Sequence, residues 1–304
     1  MLCLVLSICG RIRLNHFQLI VPLKQCQRGT LVPNWREYEN EQRSLQFQWA
    51  CKDKIYSSNR QITIAVLYYD NRYALVRHLN AWNSIPEDMK DKLEFLIVDD
   101  CSPQFPAIEI AKPYRKKMRI TIARIKLDKS WNIGGARNLA MISAPTEIVF
   151  LSDIDITFST PFLRSLLDLS RHVQERLKTA NRHLVFSKFQ RIYETMPTKR
   201  KPHPAVTLIS KTAYWNAGGC DEDFVGNYGY TDPHFYWRLQ RTPHVEIVST
   251  YEDFLGIEPL TQMRDVNSEN VLKRDLKENF ALFKTKKAHQ NWSNSYIRYD
   301  WQFE

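Results

Sequence analysis

Glycine is scarce in this chain, at 9 of 304 residues. That excludes collagen-like and Gly-rich low-complexity architectures, and it leads us to read each glycine present as the answer to a specific backbone demand. The six cysteines (Cys3, Cys9, Cys26, Cys51, Cys101, Cys220) form no Cys-x-x-Cys pair, which removes zinc-ribbon and thioredoxin-like readings. Their wide spread fits reduced thiols in a cytosol-like compartment. No apolar run reaches the roughly 20 residues a membrane-crossing helix needs. The N-terminal stretch MLCLVLSICG stops at Gly10 and lacks the basic lead and small-residue cleavage site of a signal peptide. We read it as a buried strand or an appendage, with a membrane-proximal role as the alternative. Neither a P-loop ending in Gly-Lys-Ser/Thr nor a G-x-G-x-x-G fingerprint occurs.

What is present is ordinary for a globular protein: 43% apolar and 25% charged residues, in a length that suits one large domain or two small ones. The net charge of +10 suits an anionic partner, whether nucleic acid, a phosphorylated small molecule or membrane headgroups, without choosing among them. Part of the excess is local: Arg182, Lys188, Arg191, Lys199, Arg200 and Lys201 face a single acid, Glu194, within 182–204. A solvated loop explains that run, and an acceptor-side loop is the functional alternative. Asn291-Trp292-Ser293 is a lone glycosylation sequon.

Residues 1–59 show no strong periodicity and read as an N-terminal extension, helical around Trp35–Trp49. From Gln61 the pattern sharpens. Ile62–Leu67 is a buried strand by length and β-branching. Tyr73, Val76, Leu79 and Trp82 recur at helical spacing after the turn residues Asp70-Asn71, and Pro86 ends that helix. Phe95–Val98, Arg119–Ala123 and Ile148–Leu151 are further strands. Helices open at Gly134-Gly135 and at Pro161, the latter running from Phe162 to about Leu177. Alternating strands and helices over 61–180 argue for an α/β domain with a mostly parallel sheet. Such sheets bind ligands beyond the carboxyl ends of their strands, where Asp99-Asp100 and Asp153-Ile154-Asp155 both fall. Later, Leu184–Phe186 and Ala205–Ser210 read as strands, Met196–Pro204 as a loop, Asp232–Leu239 as a helix and 262–283 as an amphipathic helix.

Several clusters could carry chemistry. Asp153 and Asp155, two carboxylates at i and i+2 after a buried strand, can hold a hard divalent ion through oxygen; a surface turn is the plain alternative. Asp99 and Asp100 could accept hydrogen bonds from a base or ribose, or Asp100 or Ser102 could simply cap a helix. In Asn132-Ile133-Gly134-Gly135-Ala136-Arg137-Asn138, glycines at a helix N-terminus favour an anion, and Arg137 could pair with phosphate. Gly218-Gly219-Cys220-Asp221-Glu222-Asp223 and Tyr230-Thr231-Asp232-Pro233 place Asp232 as either a helix cap or a general base. Nearby Tyr228, Tyr230 and Trp237 could stack on sugar faces or belong to the core.

The order of these motifs resembles the GT-A glycosyltransferases, inverting family 2, and Ala217–Leu239 is similar to the C-terminal motif of galactosyltransferase-type enzymes. The resemblance runs from about Gln61 to Val248. It implies a Rossmann-like GT-A domain over 60–260, with a nucleotide-binding part at 60–160 and an acceptor-binding part at 161–260. An extension at 1–59 precedes it and a helical tail at 261–304 follows. It further implies a nucleotide-sugar site at Asp99, Asp100, Asn132, Gly134, Gly135, Arg137 and Asp153, and Mn2+ or Mg2+ on Asp153 and Asp155. Asp232 would be the base, with Gly218, Gly219, Asp221, Glu222, Tyr230 and Thr231 on the acceptor side. Thr231 stands where many relatives have Glu. His234 and His244 are candidates for a third metal ligand. The donor expected is a UDP-sugar, with GDP second, and the acceptor a glycan, lipid-linked sugar or protein. No nucleic acid is expected. The expected location is cytoplasmic, with a peripheral membrane contact left open, since no anchor precedes the domain.

Two other classes compete. A nucleotidyltransferase shares the sheet and the acidic pair, but should carry a Gly-rich basic loop after the first strand, where Tyr68-Tyr69-Asp70-Asn71-Arg72 stands instead. A non-catalytic glycan- or nucleic-acid-binding module fits the basic charge and aromatics, but its acidic pairs would repel a phosphate backbone.

Overall fold

The computed structural model describes residues 60–180, 182–253, 255–263, 274–293 and 295–304, and the backbone of 9–14 and 17–22. The helix expected at Trp35–Trp49 lies outside these residues, as does most of the N-terminal apolar stretch. Within the extension, β1 (Cys9–Leu14) pairs antiparallel with β2 (Phe17–Pro22).

The chain then alternates as its pattern implies. β3 (Ile62–Tyr68) leads into α1 (Arg72–Asn83), whose first turn is capped by Asn71 Oδ1 accepting from Ala74 N at 3.0 Å. α1 stops at Asn83, before Pro86. The proline instead precedes the short α2 (Glu87–Lys90), its fixed φ suiting a helix start. β4 (Leu93–Asp99), α3 (Ala107–Ala111), β5 (Ile120–Ile125), α4 (Ile133–Ser143), β6 (Ile148–Asp153) and β7 (Ile156–Thr157) follow. α5 (Thr160–Ala180) outruns its expected span at both ends, with Pro161 in its first turn. Next come β8 (His183–Ser187), β9 (Gln190–Tyr193), β10 (Met196–Pro202), β11 (Thr207–Ser210), α6 (Lys211–Asn216), a 3₁₀ turn at Glu222–Phe224, α7 (Thr231–Leu239), β12 (Val245–Ser249) and β13 (Leu260–Gln262). α8 (Lys277–His289) and β14 (Trp301–Phe303) end the chain.

Three expectations fail here. The Pro/Lys-rich stretch is strand β10, paired antiparallel with β9, rather than a loop. All seven of its residues are exposed, so its side chains carry no alternation, and backbone pairing alone defines it. The helix expected at 262–283 is strand β13 first and α8 later: Thr261 and Gln262 pair with Thr157 and Ile156, which fixes them as extended. Nor is the tail only helical, because β14 adds an antiparallel edge to β5, Trp301 opposite Ile125. Three residues offer no periodicity to read.

Among the described residues the main sheet has eight strands, in the order β12-β8-β11-β6-β3-β4-β5-β14. Its centre, β6-β3-β4-β5, is parallel throughout. Alternate residues of β3 point to opposite faces. Ile62, Ile64, Val66 and Tyr68 pack with α1 and α5 through Leu75, Leu79, Trp82, Phe162 and Leu166. Ala65 packs on the other side with Leu139 and Ala140 of α4, Tyr214 and Trp215 of α6 and Phe235 of α7. Burial on both faces is why these strands read as continuous apolar runs. A second sheet, β10-β9-β13-β7, stands beside the first.

Candidate active site

Parallel register sets the site. Leu67 lies opposite Asp153, and Tyr68 opposite Asp99, so the carboxyl ends of β6, β3 and β4 finish side by side. Beyond them opens a cavity of about 680 Å³ lined by Asp100, Asn132, Arg137, Asp153, Asp155, Thr231 and Asp232 among others. Residues that stood more than 130 positions apart in the sequence reading therefore share one space.

Asp100 is held at the floor, its Oδ1 accepting from Asn132 Nδ2 at 2.9 Å. Burial pushes its carboxyl well above the usual range, against the opposing pull of that hydrogen bond. Arg137 extends from α4 between two acids, pairing with Asp232 and reaching Asp153 Oδ1 at 3.3 Å. Asp155 is held from the second sheet: its side chain accepts from Gln262 Nε2, and its carbonyl accepts from Met263 N at 2.8 Å. Asp232 lies in the first turn of α7, behind Tyr230, which adopts φ +62°.

Other expected site residues lie elsewhere. Asp99 is fully buried and ties its own loop, accepting from Ser102 N and Ala107 N at 2.8 Å each. Gly134 and Gly135 do not line the cavity. They allow close packing: a Cβ on Gly134 would sit 3.3 Å from the Asp221 carbonyl, and one on Gly135 would collide with the Asn132 carboxamide. Gly218 and Gly219 turn with φ of +77° and +64°, and a Cβ on Gly219 would meet Trp215 at 2.8 Å. Asp221 bonds Lys286 Nζ at 2.9 Å and Ser293 N at 3.0 Å. Glu222 accepts from Asn138 Nδ2 and Ile297 N at 2.7 Å and from Arg298 N at 3.1 Å. Both carboxylates thus anchor the C-terminal segment. Tyr230 stacks on Phe283 at 5.4 Å. Thr231 alone of the six expected acceptor-side residues borders the cavity.

Neither His234 nor His244 lines the cavity. His234 is buried among Phe224 and Trp237, and His244 is exposed on the loop before β12. The sequence reading missed two other histidines. His203 Nδ1 accepts from Ala205 N at 3.2 Å and Val206 N at 3.0 Å. In the neutral ring the proton must then sit on Nε2, which lies 3.9 Å from Asp153 Oδ2. It presents a donor to that carboxylate, not a lone pair to a metal. His78, on α1, bonds the Ile154 carbonyl through Nε2 at 2.9 Å and so pins the turn between Asp153 and Asp155. Its only sequence signal was a polar residue among the helical apolar positions. Trp131 and Tyr228, rings 4.6 Å apart, also border the cavity, with Arg274 over Tyr228.

Burial pushes His78 and His203 down to about 4. An unfolded histidine titrates near 6.5. Between those values the unfolded chain binds protons that the fold excludes, so stability falls as pH drops from 6.5 to 4. We expect a loss on the order of 2–3 kcal/mol per histidine by pH 4. Denaturant midpoints recorded from pH 7 to 4.5 should decline, and decline less steeply in His78→Leu. A flat profile would refute the assignment.

The donor set for a cation is two carboxylates, Asp153 and Asp155, bordering one cavity. Among the described residues no three His, Cys, Asp or Glu side chains group to hold a metal. An all-oxygen pair fits a hard ion such as Mg2+ or Mn2+ that completes its shell with ligand oxygens and water. Among the described residues no helix is long and apolar enough to cross a membrane.

Residues 63–227 match the model of glycosyl transferase family 2. No curated protein sequence matches the chain. Among solved structures, Staphylococcus aureus TarS 1–349 in complex with UDP-GlcNAc aligns over 73% of this chain and 64% of its own, at 16% identity and TM-score 0.52. A second TarS structure aligns over 74% and 39%, at 16% identity and TM-score 0.49. The mannosyltransferase PcManGT from Pyrobaculum calidifontis, in complex with GDP-Man and Mn2+, aligns over 78% and 66%, at 13% identity and TM-score 0.46. The chain thus spans less than two thirds of the length of these TarS chains. The TarS likeness at TM-score 0.52 supports the fold, and the family model covers more than half of the sequence. With its parallel sheet and its acidic cavity at the strand ends, the chain has the GT-A fold and belongs to glycosyl transferase family 2.

Proposed function

We propose that the protein transfers a sugar from a nucleotide-sugar, a UDP-sugar first and a GDP-sugar second, to an acceptor hydroxyl with inversion at the anomeric carbon. One observation carries this: Asp100, Asp153, Asp155 and Asp232 border a single cavity beyond the parallel strands. Asp100 and Asn132 take the nucleoside end, at the edge of β4. Arg137 takes the diphosphate. Asp153 and Asp155 hold Mg2+ or Mn2+, which when bound stabilises charge on the leaving diphosphate. His78 and Gln262 keep the two carboxylates in place, and His203 donates toward Asp153.

Asp232 accepts the acceptor proton as the hydroxyl oxygen bonds to the anomeric carbon. The bond from that carbon to the diphosphate oxygen breaks on the opposite face, and the nucleoside diphosphate leaves with the electron pair. Trp131 and Tyr228 form an aromatic wall of the same cavity, suited to a sugar ring. The cavity draws on both proposed halves, Asp100 and Arg137 from 60–160 and His203 and Asp232 from 161–260. The acceptor belongs to the glycan, lipid-linked or protein class.

Thermal unfolding against UDP, GDP, CDP and TDP, with and without Mn2+, tests the donor site. Because the proposed site among the described residues supplies two carboxylates to the ion and leaves the diphosphate to complete its shell, one nucleotide should stabilise with Mn2+ and much less without it. At about 100 times the dissociation constant the gain is about 2.7 kcal/mol. No shift with any nucleotide would remove the reading.

A further inference from the structure

Arg137 lies between two carboxylates that the proposed reaction uses for different purposes. Its side chain is only 4% exposed, whereas Asp153 and Asp232 are 34% and 21% exposed. Nη1 pairs with Asp232, and Nη2 lies 3.3 Å from Asp153 Oδ1. Nε is buried without a partner among the described residues. The three residues come from α4, the end of β6 and the start of α7, so the bridge ties together elements remote in sequence. A guanidinium is a rigid fork of N–H donors that fits phosphate as well as carboxylate. A diphosphate entering this cavity must therefore compete with Asp232 and Asp153 for the same donors.

We propose that Arg137 is a positioning residue that latches Asp232 until the donor arrives. Without donor, it draws the Asp232 carboxylate toward Asp153 and occupies the oxygen that would receive the acceptor proton. A diphosphate takes over the guanidinium and frees Asp232 to face the acceptor hydroxyl. No covalent step is involved; one ion pair exchanges for another. The consequence is ordered binding, donor before acceptor. Because coupling is reciprocal, the pair with Asp232 must oppose nucleotide binding to the same degree that nucleotide opposes the pair. The inference rests on the donor-site reading above.

Calorimetric titration of UDP and GDP in the presence of Mn2+ tests it on the wild type, Asp232→Asn, Arg137→Gln, Arg137→Lys and the Asp232→Asn/Arg137→Gln double variant. Asp232→Asn should bind nucleotide roughly 5- to 100-fold tighter than the wild type, the range of ordinary coupling. Arg137→Gln should bind more weakly, and adding Asp232→Asn to it should gain nothing. Arg137→Lys, which keeps the charge but loses the fork, should fall between and serves if the Gln variant does not fold. Equal affinity of wild type and Asp232→Asn would overturn the latch. So would tightening that persists without Arg137, since that is only the removal of a negative charge from the cavity. Failure of the wild type to bind either nucleotide, with or without Mn2+, would overturn the donor-site reading together with the latch.

Discussion

Asp232→Asn is expected to lower sugar transfer about 10²- to 10⁴-fold, the usual contribution of a positioned general base, while nucleotide binding survives. Asparagine has nearly the same shape and keeps an oxygen that Arg137 can bond, so the first turn of α7 should hold. What it lacks is a site that accepts a proton from the attacking hydroxyl. The expected result is a variant whose Mn2+-dependent nucleotide shift is at least as large as the wild type's, with almost no product. Retention of transfer near the wild-type rate would move the base elsewhere. Loss of the Mn2+-dependent shift would place Asp232 in the donor site instead. Thr231→Ala, at the neighbouring cavity residue, should cost far less, because a hydroxyl there can only position.

Glu222→Leu is expected to destabilise the protein by about 3–5 kcal/mol, the scale of leaving several buried donors unsatisfied. The carboxylate is 1% exposed and accepts from Asn138 Nδ2, Ile297 N and Arg298 N. Asn138 is itself a hub: its Oδ1 accepts from Tyr214 Oη at 2.7 Å and Cys220 N at 2.9 Å, and its Nδ2 also bonds the Cys220 carbonyl. Leucine would leave the Ile297 and Arg298 amides and one Asn138 Nδ2 proton without their acceptor. For a domain of this size the melting midpoint should drop by about 2–4 °C per kcal/mol. Hydrogen exchange should localise the damage, with β14 amides losing protection before those of β3 and β4, because the strand is attached through Ile297 and Arg298. A melting point within a degree of the wild type would show that this network does not hold the tail.

The same pair of residues shows how local motifs can mislead. Asp221-Glu222 read as an acceptor site because acids beside two glycines suggest a loop at a ligand. In the structure those acids face inward and bind Lys286, Ser293, Ile297 and Arg298. Their partners stand about 65 to 75 positions away, and no window of sequence contains both. His78 and His203 were invisible for the same reason. Each acts on the Asp153–Asp155 turn from another element, and an isolated histidine in a helix or a loop carries no spacing to recognise.

What the amino-acid sequence determined by itself was the α/β alternation and the position of the acidic pairs. Continuous apolar runs such as Ile62–Leu67 and Ile148–Leu151 suit only strands buried on both faces, and a strand's carboxyl end is defined by where such a run stops. The pattern therefore places Asp99, Asp100, Asp153 and Asp155 at the ligand edge, and of these Asp99 turns away from the cavity. Tertiary structure alone decided which candidates share the cavity. Register put Leu67 opposite Asp153 and Tyr68 opposite Asp99. Pairing of β13 with β7 and β9 brought Gln262 to Asp155. The approach of α4 to the first turn of α7 set Arg137 on Asp232. Those contacts depend on long-range backbone pairing and close packing, and neither leaves a periodic trace in the chain.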